Sequence, residues 1–269
     1  MIMLDEKQIR NKLKNIEAFV LDQDGTLYLE YKSFPWTPEF LSGLDKKGIR
    51  YLFLSNNSSK SRNEHIKKLS EFGINAKPEQ ILSSSESTIE YLKSLKNSKD
   101  IYLLATPKVE HDFIEAGFNI DAQNPNYVVL AYDLTFTFNK LDKAARLVRN
   151  GIPFIATHED NNWMIAPNDH MPDVGALAAA ITASTKVKPK FIGKPNIETV
   201  NSFLKRLNVS KDKVAIMGDR LNTDIRMGND NNILTFLVLS GKTKIEELKT
   251  SPYQPSFVLE KSIDILNYL

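Results

Sequence analysis

Two aspartates stand one residue apart in Asp22-Gln23-Asp24-Gly25-Thr26, directly after the apolar run 18–21. Side chains two apart on an extended segment share a face, so both carboxylates can enter one site, and Gly25 lets the chain turn away sharply behind them. Three further polar groupings also follow apolar runs. They are Ser55-Asn56-Asn57-Ser58 after 51–54, Gly193-Lys194-Pro195-Asn196 after 191–192, and Gly218-Asp219 after 214–217, with Thr223-Asp224 beyond it. Each grouping alone is a common turn or helix cap. Their order, and their shared place after strand-like runs, carry the functional reading. Ligands of open α/β sheets bind beyond the C-terminal ends of the strands. Carboxylates gathered there from Asp22, Asp24 and Asp219 would raise one another's pKa values unless a cation offset them. An all-oxygen set of this kind suits Mg2+, which keeps several waters and commonly takes a substrate phosphate oxygen as well. No histidine lies near these segments, which argues against zinc.

The elements that must hold these residues read as alternating strands and helices. Short continuous apolar runs at 18–21, 51–54, 101–104, 127–131, 154–156, 214–217 and 233–239 have the character of strands covered on both faces. Between them lie helix-like stretches at 38–47, 61–72, 85–96, 107–116, 141–150, 172–185 and 197–207. That alternation predicts an α/β fold, a doubly wound parallel sheet. The middle block has strands and helices enough for a core of its own, so we expect a domain at 82–189 inserted into one built from 1–81 and 190–269.

Composition narrows the classes. The 42% hydrophobic content excludes disorder as the main state. With 35 basic and 33 acidic residues the net charge is +2, which supplies no general field for nucleic acid or anionic membrane. No apolar stretch approaches a membrane span, and the charged N-terminus has no secretory h-region, so a cytoplasmic location is expected. The absence of cysteine excludes disulfides, thiolate metal sites and cysteine nucleophiles.

Together, DQDGTL at 22–27, SNNS at 55–58, GKP at 193–195 and GDRLNTDI at 218–225 resemble the haloacid dehalogenase superfamily of phosphatases. The long insert between the second and third motifs resembles the type C2 cap of its NagD-like and p-nitrophenylphosphatase-like branch, as do IPFIATHED at 152–160 and MPDVGALAAAI at 171–181. Two positions depart from the pattern: Gln23 replaces a usual apolar residue and Asn222 a common acidic one. The stretch 161–168 in the cap is less familiar.

The resemblance implies a Rossmannoid core with an inserted α/β cap, and Mg2+-dependent hydrolysis of small phosphomonoesters, such as sugar phosphates or nucleoside monophosphates. It makes Asp22 the nucleophile that forms an aspartyl-phosphate. It makes Asp24 the acid that protonates the leaving alkoxide and then the base that activates water. Mg2+ would be held by the Asp22 carboxylate, the Asp24 carbonyl and Asp219, with Asp224 orienting metal waters or Lys194 from behind them. Ser55 and the N–H groups of Asn56 and Asn57 would bind phosphoryl oxygens, and Lys194 would balance their charge. In the cap, His158 is the candidate leaving-group contact, and Trp163 is read as packing. The implied partner is a small phosphorylated metabolite, with neither nucleic acid nor membrane, and the caps of such relatives often pair into homodimers. The alternatives are a phosphotransferase or mutase, which an acceptor sugar would reveal, and a non-catalytic phospho-ligand binding protein, which would be expected to lack Asp22 or Asp24. A phospho-accepting receiver domain would be about half this length. Ser240-Gly241-Lys242-Thr243 hints at a P-loop, but Phe236 stands where that pattern needs glycine, so we read it as a plain loop.

Overall fold

The strand-like runs at the two ends of the chain meet in one sheet. The computed structural model describes residues 5–29, 32–166 and 169–269. In chain order its strands begin with β1 (Ala18–Asp22), β2 (Tyr28–Leu29), β3 (Lys32–Ser33), β4 (Arg50–Ser55) and β5 (Ile81–Ser83). There follow β6 (Ile101–Leu104), β7 (Tyr127–Leu130), β8 (Phe154–Ala156), β9 (Asn162–Ala166), β10 (Asp169–Pro172) and β11 (Lys190–Phe191). The chain closes with β12 (Val214–Gly218), β13 (Leu234–Val238) and β14 (Phe257–Leu259).

The residues divide into two units, one of Met1–Ser55, Ile66–Leu82 and Val200–Leu269, the other of Asn56–His65 and Ser83–Thr199. The first is built on a six-stranded sheet of order β14-β13-β12-β1-β4-β5. Its β1 pairs in parallel with both β4 and β12, and β13 pairs in parallel with β12 and β14. All five residues of β1 are buried, because the sheet is covered on both faces. Phe19 and Leu21 join Phe53, Met217 and Phe236 under Ile9, Phe40 and Leu44 on one side. Ala18 and Val20 join Leu52, Leu54 and Ile216 against Val200, Phe203 and Met227 on the other. Successive strands run outward in opposite directions from β1 and β12, so the topological switch point lies between them.

The second unit has a four-stranded sheet of order β11-β8-β7-β6, its neighbouring strands all paired in parallel. Ile101 and Leu103 face Val109 and Phe113, while Tyr102 and Leu104 face Val148, Ala178 and Ile181. An antiparallel hairpin of β9 and β10 occupies part of the 161–168 stretch, of which 167 and 168 lie outside the described residues. Among the described residues no helix is long and apolar enough to cross a membrane.

Candidate active site

The switch point is where the carboxylates gather. Asp22 is the last residue of β1, and Asp219 follows β12, its in-register neighbour. After Asp219 the chain makes a π-helical turn, Leu221–Ile225, whose wider i→i+5 spacing carries Asp224. Carboxylate oxygens of Asp22, Asp219 and Asp224 lie within 4.8 Å of one another, and all three residues are buried. At an effective dielectric of about 20, each pair of unit charges at that distance repels by roughly 3 kcal/mol. An offsetting cation would relieve that repulsion.

Packing around the group is close. A Cβ at Gly218 would overlap the Asp224 carboxyl group, and one at Gly25 or Gly241 would overlap the carboxylate of Asp219. Gly25 also has a φ of 80°, and its N–H donates to the Tyr28 carbonyl at 2.7 Å to close the turn behind β1. The donor set is oxygen only, buried and anionic, so these residues fit a hard divalent cation.

Asp24 does not belong to this cluster. Its side chain is 56% exposed and lies 3.7 Å from the ammonium of Lys68, which itself sits 4.0 Å over the Tyr28 ring. Gln23 points the other way, into the core, where its Oε1 accepts from the Tyr28 hydroxyl at 3.1 Å. Burial first, and then the charges of Asp24 and Asp22, push the Tyr28 hydroxyl well above the ordinary tyrosine range, so it stays a neutral donor. Ser55 ends β4 half-buried.

The other expected residues belong to the second unit. Asn56 and Lys194 form a clamp there: the Lys194 N–H donates to Asn56 Oδ1 at 2.9 Å, and Asn56 Nδ2 donates to the Lys194 carbonyl at 3.2 Å. The same Nδ2 donates to Asp160 Oδ2 at 2.9 Å. Lys194 is buried, and the Lys194–Pro195 peptide is cis. Asn57 Oδ1 accepts from the N–H and the hydroxyl of Ser59, a local turn that shapes the loop. Ser58 is buried, its hydroxyl 2.8 Å from that of Thr157 and accepting from the Tyr132 N–H.

His158 is 1% exposed, with both ring nitrogens engaged. Its Nε2 lies 2.9 Å from Asp173 Oδ1, and its Nδ1 is 3.1 Å from the Thr157 hydroxyl and 3.4 Å from that of Ser84. Ser84 in turn donates to the Asn56 carbonyl at 2.6 Å. Asp173 also accepts from the Val174 N–H, capping the helix Val174–Thr185. His158 therefore stands behind the loop that holds Asn56. Trp163 packs edge-on to Tyr132.

Two features had no signal in the sequence. One is Lys68 beside Asp24; its helix reads as a solvated face. The other is the loop after β13, which reaches Asp219 only because β13 lies next to β12.

A model of haloacid dehalogenase-like hydrolases matches residues 19–119, and a second, HAD-hydrolase-like, matches 191–265. The acid sugar phosphatase of Staphylococcus haemolyticus is 34% identical over 248 residues, which cover 91% of this chain and 93% of that protein. The crystal structure of a 4-nitrophenylphosphatase from Thermotoga maritima is 37% identical, covers 95% of this chain and 98% of its own, and superposes with a TM-score of 0.91. NagD from E. coli K-12 is 28% identical, covering 93% of this chain and 98% of its own, with a TM-score of 0.87.

Proposed function

We propose, from the premise that this chain belongs to the haloacid dehalogenase-like hydrolases and is a phosphatase, that it hydrolyses small phosphomonoesters with Mg2+ through a phosphorylated Asp22. The observation that carries this reading is the buried carboxylate group of Asp22, Asp219 and Asp224 at the switch point of the sheet. Sugar phosphates are the first substrates to test, since the acid sugar phosphatase relatives align over nearly the whole chain.

When bound, Mg2+ would neutralise charge on the phosphoryl oxygens and is assigned to the Asp22 carboxylate, the Asp24 carbonyl and Asp219, with Asp224 beside them. An Asp22 oxygen attacks phosphorus in line as the ester P–O bond breaks. Asp24 gives its proton to the departing alkoxide. A water then attacks the phosphorus of the acyl phosphate while Asp24 takes a proton from it, releasing inorganic phosphate and restoring Asp22. Ser55 and the N–H groups of Asn56 and Asn57 are assigned to the phosphoryl oxygens, and the Lys194 ammonium to their charge. The Asn56 carboxamide supports that assignment, because it pins the Lys194 backbone on both sides. Residues 82–189 are proposed as the cap that selects the leaving group, with His158 supporting the loop at Asn56. The partner is a small phosphorylated metabolite.

The test is phosphate release from a panel of phosphate esters, with Mg2+ and with EDTA. Turnover on sugar phosphates that EDTA abolishes, and that Asp22→Asn loses while keeping its fold, is the expected outcome. Full activity of Asp22→Asn would remove the nucleophile.

A further inference from the structure

The loop Ser240-Gly241-Lys242-Thr243 has no part in the chemistry above, yet its backbone wraps the carboxylate of Asp219. The Lys242 N–H donates to Asp219 Oδ2 at 2.6 Å, a short, charge-assisted bond. The Thr243 N–H donates to the Asp219 carbonyl at 3.3 Å. The Ser240 hydroxyl donates to the Gly25 carbonyl at 2.7 Å, which ties the loop to the turn that follows Asp22. Gly241 lies so close that a Cβ there would overlap Oδ2, Cγ and Cβ of Asp219. The loop thus touches the carboxylate through bare backbone, and only glycine admits the approach.

We propose that residues 240–243 are a positioning element for the cation: Gly241 and the Lys242 N–H fix the orientation of the Asp219 carboxylate before the ion arrives. An aspartate held by no neighbour would sample several rotamers and lose that freedom on binding. One whose Oδ2 is already held by an amide, with its carbonyl held by the next, binds without that cost. Outer partners of metal ligands are worth about 10–100-fold in affinity in other proteins. The inference rests on the reading of Asp219 as a cation ligand.

The test uses the metal alone. Mn2+, whose free-ion EPR signal disappears on binding, is titrated into metal-free wild type, Gly241→Ala and Ser240→Ala, with circular dichroism as the check of folding. Gly241→Ala is expected to raise the Mn2+ Kd by about tenfold or more. Ser240→Ala, which introduces no clash, is expected to raise it by a few-fold. Folded variants that bind Mn2+ with the wild-type Kd overturn the proposal. If Gly241→Ala does not fold, Ser240→Ala decides alone, a wild-type Kd there overturning it. A wild type that binds no Mn2+ would instead sink the reading of Asp219 as a ligand, and the role of the loop with it.

Discussion

The three carboxylates at the switch point should make the metal-free protein less stable than it need be, and Asp22→Asn should reveal by how much. Oxygens of Asp22, Asp219 and Asp224 lie within 4.8 Å of one another, and Asp22 is 8% exposed. At an effective dielectric of about 20, each pair repels by about 3 kcal/mol, so neutralising Asp22 removes two pairs, or about 6–7 kcal/mol before relaxation. Counter-ions and local adjustment absorb part of that. The Thr26 hydroxyl donates to Asp22 at 3.5 Å, a long bond that an asparagine oxygen can still accept. A net stabilisation of about 1–3 kcal/mol is expected, in line with the cost that functional sites commonly impose on folds. For a chain of this length that raises Tm by about 2–5 °C. The assay is thermal unfolding of wild type and Asp22→Asn in EDTA, repeated in Mg2+. Asp22→Asn should melt higher in EDTA, and Mg2+ should narrow or reverse the gap by binding the wild type. An Asp22→Asn protein that melts at or below wild type in EDTA, with no gain for the wild type from Mg2+, would refute the electrostatic reasoning.

Three other outcomes are expected. Asp24→Asn should lower kcat/KM for alkyl phosphates by about 10²–10⁴ and for p-nitrophenyl phosphate far less, because nitrophenolate leaves without a proton; steady-state kinetics with equal losses on both esters would contradict the acid role. Asn56→Ala removes the side chain that pins the Lys194 backbone and Asp160, and should destabilise the protein by roughly 2–3 kcal/mol. Chemical denaturation checks this, and an unchanged midpoint would mean that the clamp contributes nothing. The Tyr28 hydroxyl is held well above its ordinary value in the fold. A raised folded value means that its contribution is whole below about pH 10 and lost as pH rises further. Tyr28→Phe should therefore show a shallower loss of Tm above that pH than wild type, and parallel curves would contradict it.

Much of this fold is legible because buried parallel strands leave a plain signature. The apolar runs 101–104 and 154–156 and the helix 197–207 coincide with the observed elements to the residue. Elements that bury little were invisible. The helix Glu6–Leu13 buries only Ile9 and Leu13 amid charge, and β2, β3 and β10 are short or exposed hairpin strands with no apolar run. In the candidate site, Asp22 and Asp219 could be paired from the sequence because one ends and the other directly follows a recognisable strand. The place of Asp224 within their cluster depends on a π-helical turn, which no local pattern in LNTDI announces. Asp24 beside Lys68, and the 240–243 loop against Asp219, depend on tertiary register, which the order of motifs does not encode.

Direct chemical capture of the reaction tests the central claim best. The protein is mixed with a phosphate ester and Mg2+, quenched in acid within milliseconds, digested and mapped by mass spectrometry. An added phosphoryl group, labile to hydroxylamine, is expected on the peptide that carries Asp22, and none in Asp22→Asn. Robust turnover with no phosphopeptide at any quench time, or with the label on a different residue, would contradict it.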